Sequence, residues 1–382
     1  MTRIFLVLSI AVSLSAQTAH VTTVAGVPGV AGNLDGSTAV ALLNRPTWLD
    51  VIRDNDTCVA GRAGDVLVVD RANQSVRWIS GGAVKTLKIA TSFQNSSPFP
   101  FDFGGPFGGG IAVEPAGAGC GCGPYARGVW VATSASRQLL LASMDGLPAA
   151  RDDIAPLIGL RGELTMPTGV ALSKRYTNIE SELNKRFLFI ADTGDQTIRR
   201  VRFQWSFEAC PQHRFIETYA GASGVAGWQD GLAANARFNA PRGIATASDG
   251  SVYVADSGNH VIRRIAPGGV VSTIAGEPGV AGSDAHHLNT PAAVEVRDDG
   301  TLFIADTGNH AIRMLASDGS LVTIAGRVGV PGYADGFDSL FNGPVGLKFG
   351  PDGALYVADT SNQLIRKVVF TEPEPRRRAV RR

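Results

Sequence analysis

The chain holds six histidines and four cysteines, together with aspartates and arginines that return at fixed spacing. His260, His286, His287 and His310 are the first candidates, because imidazole is a common zinc ligand and three of them converging would make a metal site. Such a site would support a metal-assisted lyase or hydrolase, with zinc or calcium as its ion. Against this, His260 and His310 stand in identical Gly-Asn-His triplets, which points to a repeated turn. No His-Glu-x-x-His, Gly-x-Ser-x-Gly or Walker-type motif is present, and the glycine-rich run Gly104–Gly110 is not followed by Gly-Lys-Ser/Thr. On this balance no cofactor is expected.

The cysteines are Cys58, Cys120, Cys122 and Cys210. A Cys-x-Cys pair with two distant cysteines lacks the Cys-x2-Cys spacing of a structural zinc site. An even number in an exported chain favours disulfides, here Cys58 with one of the Cys120/Cys122 pair and Cys210 with the other. Aromatic clusters supply a different chemistry, that of contact. Phe93, Phe99, Phe101 and Phe103 alternate with Pro and Ser across 89–105, and Trp205 and Phe207 lie in 202–215. Loops this aromatic either grip a partner or cover their own core.

The elements that place these residues come from a repeat. Residues 241–276 and 291–326 align without a gap, 50 residues apart, and a third copy opens at Pro344. Weaker copies open at Pro46, Pro106 and Pro167, making six. Each copy predicts four short strands, a to d: a Gly-Ile-Ala run, a Leu-Tyr-Val-Ala-Asp run, a Val-Ile-Arg-Arg run and a Ser-Thr-Ile-Ala-Gly run. Asp-Gly and Gly-Asn pairs mark the turns between them. Four-stranded sheets repeated radially make a propeller. The expected fold is therefore all-β, a six-bladed β-propeller over 21–370. The last copy lacks a strand d and an orphan strand d, VTTVAG, stands at 21–26. The N-terminal strand should complete the last blade and close the ring, which removes exposed sheet edges.

Within this frame Asp192, Asp256, Asp306 and Asp359 follow strand b, and Arg199, Arg263, Arg313 and Arg366 recur in strand c. A ring of carboxylates for a cation, or of guanidiniums for an anion, is the functional reading. Repetition once per blade favours structure instead: an Asx-type turn for the aspartate, and a packed stem with an acidic neighbour for the arginine. The d–a and b–c loops share the upper face, which should carry the four histidines and the 89–105 loop. The a–b and c–d loops share the lower face, which should carry the cysteines and the insertions at 173–185 and 202–215.

The motifs TIAG, GVAG, DG, DGxLYVAD and GNHxIR resemble the NHL repeat, most clearly at Thr273–Gly276, Gly224–Gly227, Asp249–Asp256 and Gly258–Arg263. The resemblance runs from about residue 21 to 370 and implies a six-bladed propeller. It also brings lyases and lactonases of similar architecture, which is analogy of fold alone.

Residues 1–16 read as a secretory signal, with Arg3, an apolar run from Ile4 to Val12 and small residues up to Ala16. No later run is long enough for a transmembrane helix. Residues 371–382 form a tail rich in arginine, expected to be disordered. The formal net charge of +1 speaks against nucleic acid. The expected role is a binding or scaffold module, secreted or at the cell surface, for a protein or glycan, with the oligomeric state open. Asn55, Asn73 and Asn95 each open an Asn-x-Ser/Thr acceptor sequence.

Overall fold

A computed structural model describes residues 18–53, 62–87, 109–113, 128–135, 137–143, 163–173, 187–206 and 209–371. The signal segment, the tail beyond Thr371 (itself the end of a strand), Cys58, Cys120, Cys122, the aromatic loop with Phe93, Phe99, Phe101 and Phe103, and Phe207 lie outside the described residues. Asn55 and Asn95 do as well, and so does the insertion at 173–185 beyond Ser173.

The strands form six antiparallel sheets. Sheet one contains Pro46–Val51, Val66–Asp70, Ser75–Ser80 and Ala83–Thr86. Sheet two contains Ile111–Val113, Gly128–Thr133 and Gln138–Ser143. Sheet three runs Pro167–Leu172, Phe187–Asp192, Thr197–Ser206, Ala209–Ala220. Sheet four runs Pro241–Thr246, Val252–Asp256, Val261–Ile265, Val270–Ala275. Sheet five runs Ala293–Val296, Leu302–Asp306, Ala311–Leu315, Leu321–Ala325. Sheet six joins Pro344–Phe349, Leu355–Asp359 and Leu364–Thr371 to Thr18–Ala25. Two-residue strands, Gly36–Ser37 and Gly231–Leu232, cover the outer edges of sheets one and four.

Sequence dictates this layout simply. Strand b is apolar along its length because both faces of its sheet are covered; Val252–Asp256, Leu302–Asp306 and Leu355–Asp359 are buried at every position. The first strands are innermost, and each packs against the first strands of the sheets before and after it. Their approach is close: a Cβ added to Gly243 would sit 2.5 Å from the Cα of Ala293 in the next sheet. The N-terminal strand pairs with the C-terminal one from Thr18↔Thr371 to Ala25↔Ile365, so the orphan strand d does complete sheet six.

Two expectations need correction. Six four-stranded blades were expected, and five sheets have four or more strands while sheet two has three. The segment that would supply its fourth strand, 144–162, is outside the described residues. The second concerns 202–215, read as a loop. Pairing continues through Arg202↔Phe215, Phe203↔Arg214 and Gln204↔His213 to Ser206↔Ala209, so the segment is a long hairpin of sheet three. Trp205 and Cys210 therefore lie on strands, not in a c–d loop. A run rich in aromatic residues carries strand propensity of its own, and that favours extending the ladder.

Candidate functional site

The upper face is built from one local unit. Strand b ends at an aspartate, a short 3-10 turn follows, and the next residue takes left-handed geometry: Gln74, His260, His310 and Gln363, with φ of 52°, 60°, 55° and 63°. In sheets one, four and six the aspartate is a buried hub. Asp256 accepts the Asn239 N–H (2.8 Å), the Asn259 side-chain amide (2.8 Å) and Arg263 (2.9 Å). Asp359 accepts Asn342 N–H, Asn362 and Arg366, each at 2.8 Å. Asp70 does the same for Asn44, Asn73 and Arg77. These carboxylates thus hold the loop leading into strand a, rather than capping their own turn as an Asx motif would. The arginine's second nitrogen reaches a further aspartate in that loop: Asp35, Asp230 or Asp335, at 2.6–2.7 Å.

Burial pushes the carboxyls of Asp256, Asp306 and Asp359 up to about 6, against the pull of the arginine and the amides. Each is nevertheless paired with an arginine. Asn73 is likewise committed: its side-chain nitrogen bonds Asp70 and the Gly32 carbonyl (2.6 Å), so it is not a glycosylation acceptor in the folded chain.

In sheet two the strand Gly128–Thr133 ends at a threonine in place of the aspartate, and sheets three and five depart from the unit in other ways. In sheet three Asp195 occupies the asparagine position and draws Arg199 toward itself at 3.7 Å, while Asp192 accepts only the N–H groups of Thr165 and Met166. In sheet five the lead-in loop is shorter and the second aspartate is missing. Arg313 bonds Asp306 (3.3 Å) and the carbonyls of Asp284 (2.7 Å) and Leu321 (2.9 Å). The Asp284 side chain instead turns to His287, whose other ring nitrogen meets Glu277 at 3.0 Å. Glu277 and Asp284 raise the His287 pKa above its ordinary value.

The four histidines do not share a task. Nδ1 of His260 accepts the N–H of Thr290 (3.0 Å), and Nδ1 of His310 accepts that of Gly343 (3.1 Å). Each ring reaches the loop leading into the next sheet. Gln196 and Gln363 do the same for Ala240 and Arg45 through Oε1, at 2.6 and 2.5 Å. Among the described residues no three His, Cys, Asp or Glu side chains are arranged to hold a metal.

A second link joins sheets near the channel. A hydroxyl just past strand b donates to the carbonyl of the next copy's opening proline: Ser134 to Pro167, Thr193 to Pro241, Ser257 to Pro291, Thr307 to Pro344 and Thr360 to Pro46, at 2.5–2.6 Å. Repeat alignment exposes this position in the sequence, although its role needs the neighbouring sheet to be seen. The inner strands also carry charge: Lys348 lies 3.8 Å from Asp50 and 3.6 Å from Glu295, which lies 3.5 Å from Arg53.

Beside its charged groups the upper face also offers apolar ones to solvent. Four identical turns place Val30, Val225, Val280 and Val330 at their tips, each 36–48% exposed. Each turn is pinned by a glycine N–H to the turn beneath it: Gly29 to Asn362, Gly224 to Asp195, Gly279 to Asn259 and Gly329 to Asn309. Trp228 and Tyr333 stand beside them, about as exposed. Composition hid this feature, because the valines are conspicuous only once the turns are seen to share a face.

Radial antiparallel sheets with inner strands packed in a cycle define the class, a β-propeller. A family model for the teneurin NHL domain matches residues 170–285, and one for the NHL repeat matches 341–368. These two matches support an NHL-repeat β-propeller family for the chain. No curated protein matches it. Among solved structures it is similar to a structural-genomics protein of unknown function from Bacteroides thetaiotaomicron, at 19% identity and TM-score 0.61, covering 93% of this chain and 76% of that one. An auxiliary nutrient binding protein from Bacteroides ovatus gives 15% identity and TM-score 0.59, covering 93% and 78%. A gluconolactonase from Xanthomonas campestris gives 14% identity and TM-score 0.50, covering 94% and 93%. At such identities these likenesses speak for the fold.

Proposed function

We propose that this chain is a binding propeller acting outside the cytoplasm, and that its upper face receives a protein partner. One observation carries the reading. The recurrent aspartate, arginine and acceptor side chains of the upper face hold the sheets together, while Val30, Val225, Val280 and Val330 at the loop tips, with Trp228 and Tyr333 beside them, stay partly exposed. Contiguous exposed apolar surface marks interaction sites, and these tips recur on one face. A glycan is the other partner class, and the aromatic loop 89–105, with Phe93, Phe99, Phe101 and Phe103, would then be its contact. No helix of the described residues is long and apolar enough to cross a membrane.

Several finer features belong to the same proposal. Sheet two is taken as a sixth blade. Export follows cleavage after Ala16, and Cys58, Cys120, Cys122 and Cys210 form two disulfides. Intact mass of the secreted protein tests both, by a chain starting at Gln17 and by no alkylatable thiol before reduction.

The metal-assisted lyase or hydrolase has less support, because His260 and His310 already serve as acceptors for backbone N–H groups. Metal analysis of untagged protein decides it: stoichiometric zinc lost on replacing His286 and His287 would restore that reading. The binding reading is tested by Val225→Asp, Val280→Asp and Val330→Asp combined. Immobilised wild-type protein should retain a partner from the extracellular fraction that the triple variant fails to retain. Equal retention would contradict it.

A further inference from the structure

Four seams between sheets are closed by a side chain in left-handed geometry that accepts an N–H from the next lead-in loop. At two of them, sheets three to four and six to one, the acceptor is an amide oxygen, of Gln196 and Gln363. At the other two, sheets four to five and five to six, it is the Nδ1 of His260 and His310. An amide oxygen accepts at any pH. An imidazole accepts only when neutral, with its proton on Nε2; imidazolium carries N–H on both nitrogens and presents a donor to a donor.

The two titratable seams flank the same sheet. We propose that sheet five, Ala293–Val296 through Leu321–Ala325, is an acid-responsive blade whose two seams open together when His260 and His310 gain a proton, while the seams built on glutamine stay closed. The receiving N–H groups belong to residues with positive φ, 46° at Thr290 and 62° at Gly343. Thr290 in particular holds a costly conformation that the bond helps to maintain. Loss of the bond therefore frees the loop leading into sheet five and the loop leading out of it.

The direction of the pH effect follows from the environment. Burial lowers the pKa of both histidines below the ordinary 6.5, with no charged group among the causes. A histidine kept neutral by the fold stabilises it fully above about pH 6.5, and that contribution is lost as the pH falls toward the folded pKa. Other titratable groups on the neighbouring elements are accounted for. Asp256 and Asp306 are the hubs bound to Arg263 and Arg313, and Glu277 and Asp284 are bound to His287. His287, with its raised pKa, gains its charge earlier in the same descent and tightens onto its two carboxylates. His286 bears no side-chain contact to either seam, and Asp338 and Arg327 flank the loop reached by His310 without bonding it.

The hub carboxyls act in the opposite sense. Raised to about 6, they contribute most in acid, and that contribution is lost as the pH rises through about 6. Asp359, also raised to about 6, lies beside the Gln363 seam and so provides an internal control.

Hydrogen exchange of the full chain, corrected for the intrinsic pH dependence of exchange, tests this. Between pH 7.5 and 5.0 the amides of Thr290 and Gly343 should lose at least tenfold in protection relative to those of Arg45 and Ala240. In His260→Gln/His310→Gln, which copies the other two seams, the difference should vanish. Equal change at all four seams would overturn the proposal and assign the effect to the hub carboxyls. No change at any seam, or an unaltered change in the glutamine variant, would overturn it as well.

Discussion

Asp256 and Arg263 show how a chemically capable pair is consumed by structure. Both side chains are fully buried, 2.9 Å apart, and every remaining donor on the guanidinium head meets a carbonyl or Asp230. Removing one charge leaves the other unpaired in a site water does not reach. Asp256→Asn should therefore cost about 3–5 kcal/mol, read by chemical denaturation. Asp195→Asn should do the reverse in sheet three, restoring the asparagine of the repeat and allowing Arg199 to reach Asp192. A rise in melting temperature would show it. The aspartates, arginines and histidines were all visible in the sequence as recurrent. Their partners were not visible. The carboxylate of Asp256 meets the loop leading into strand a 17 residues earlier, and the ring of His260 meets the next sheet 30 residues later. Spacing within one repeat does not report contacts between repeats.

At the scale of elements, the strands and the order of the sheets were legible because each copy repeats an apolar strand b between turn signals. The pairing of Thr18–Ala25 with Leu364–Thr371 was legible for a simpler reason, since a repeat that ends without its last strand needs one from elsewhere. Deleting residues 18–25 should leave the edge of Leu364–Thr371 open and shift the protein to aggregates on size exclusion. A monomer that melts like the parent would contradict this. The inner strands have less tolerance than their small residues imply. Gly243→Ala should cost about 1–3 kcal/mol by overpacking, because its new methyl would meet the Ala293 backbone. The hairpin of sheet three was misread as a loop. Its residues interrupt the repeat, and an interruption was equated with irregular structure although Gln204 and His213 face one another in regular register.

For the molecule as a whole, a ring of sheets places its polar recurrences between blades and its variable tips outside. The hydroxyl-to-proline links run at five junctions from Ser134 round to Thr360, so the scaffold is stitched at the inner strands, apart from the valine-bearing tips. That division separates stability from recognition, and the two should respond to different substitutions. The most direct test measures the binding of one retained partner to Asp256→Asn and to the Val225→Asp/Val280→Asp/Val330→Asp variant, below the melting temperature of each. The account predicts wild-type affinity for Asp256→Asn despite its lower stability, and at least a tenfold loss for the valine variant despite a parental melting temperature. Undiminished binding by the valine variant would contradict it, and would move the recognition surface away from these loop tips.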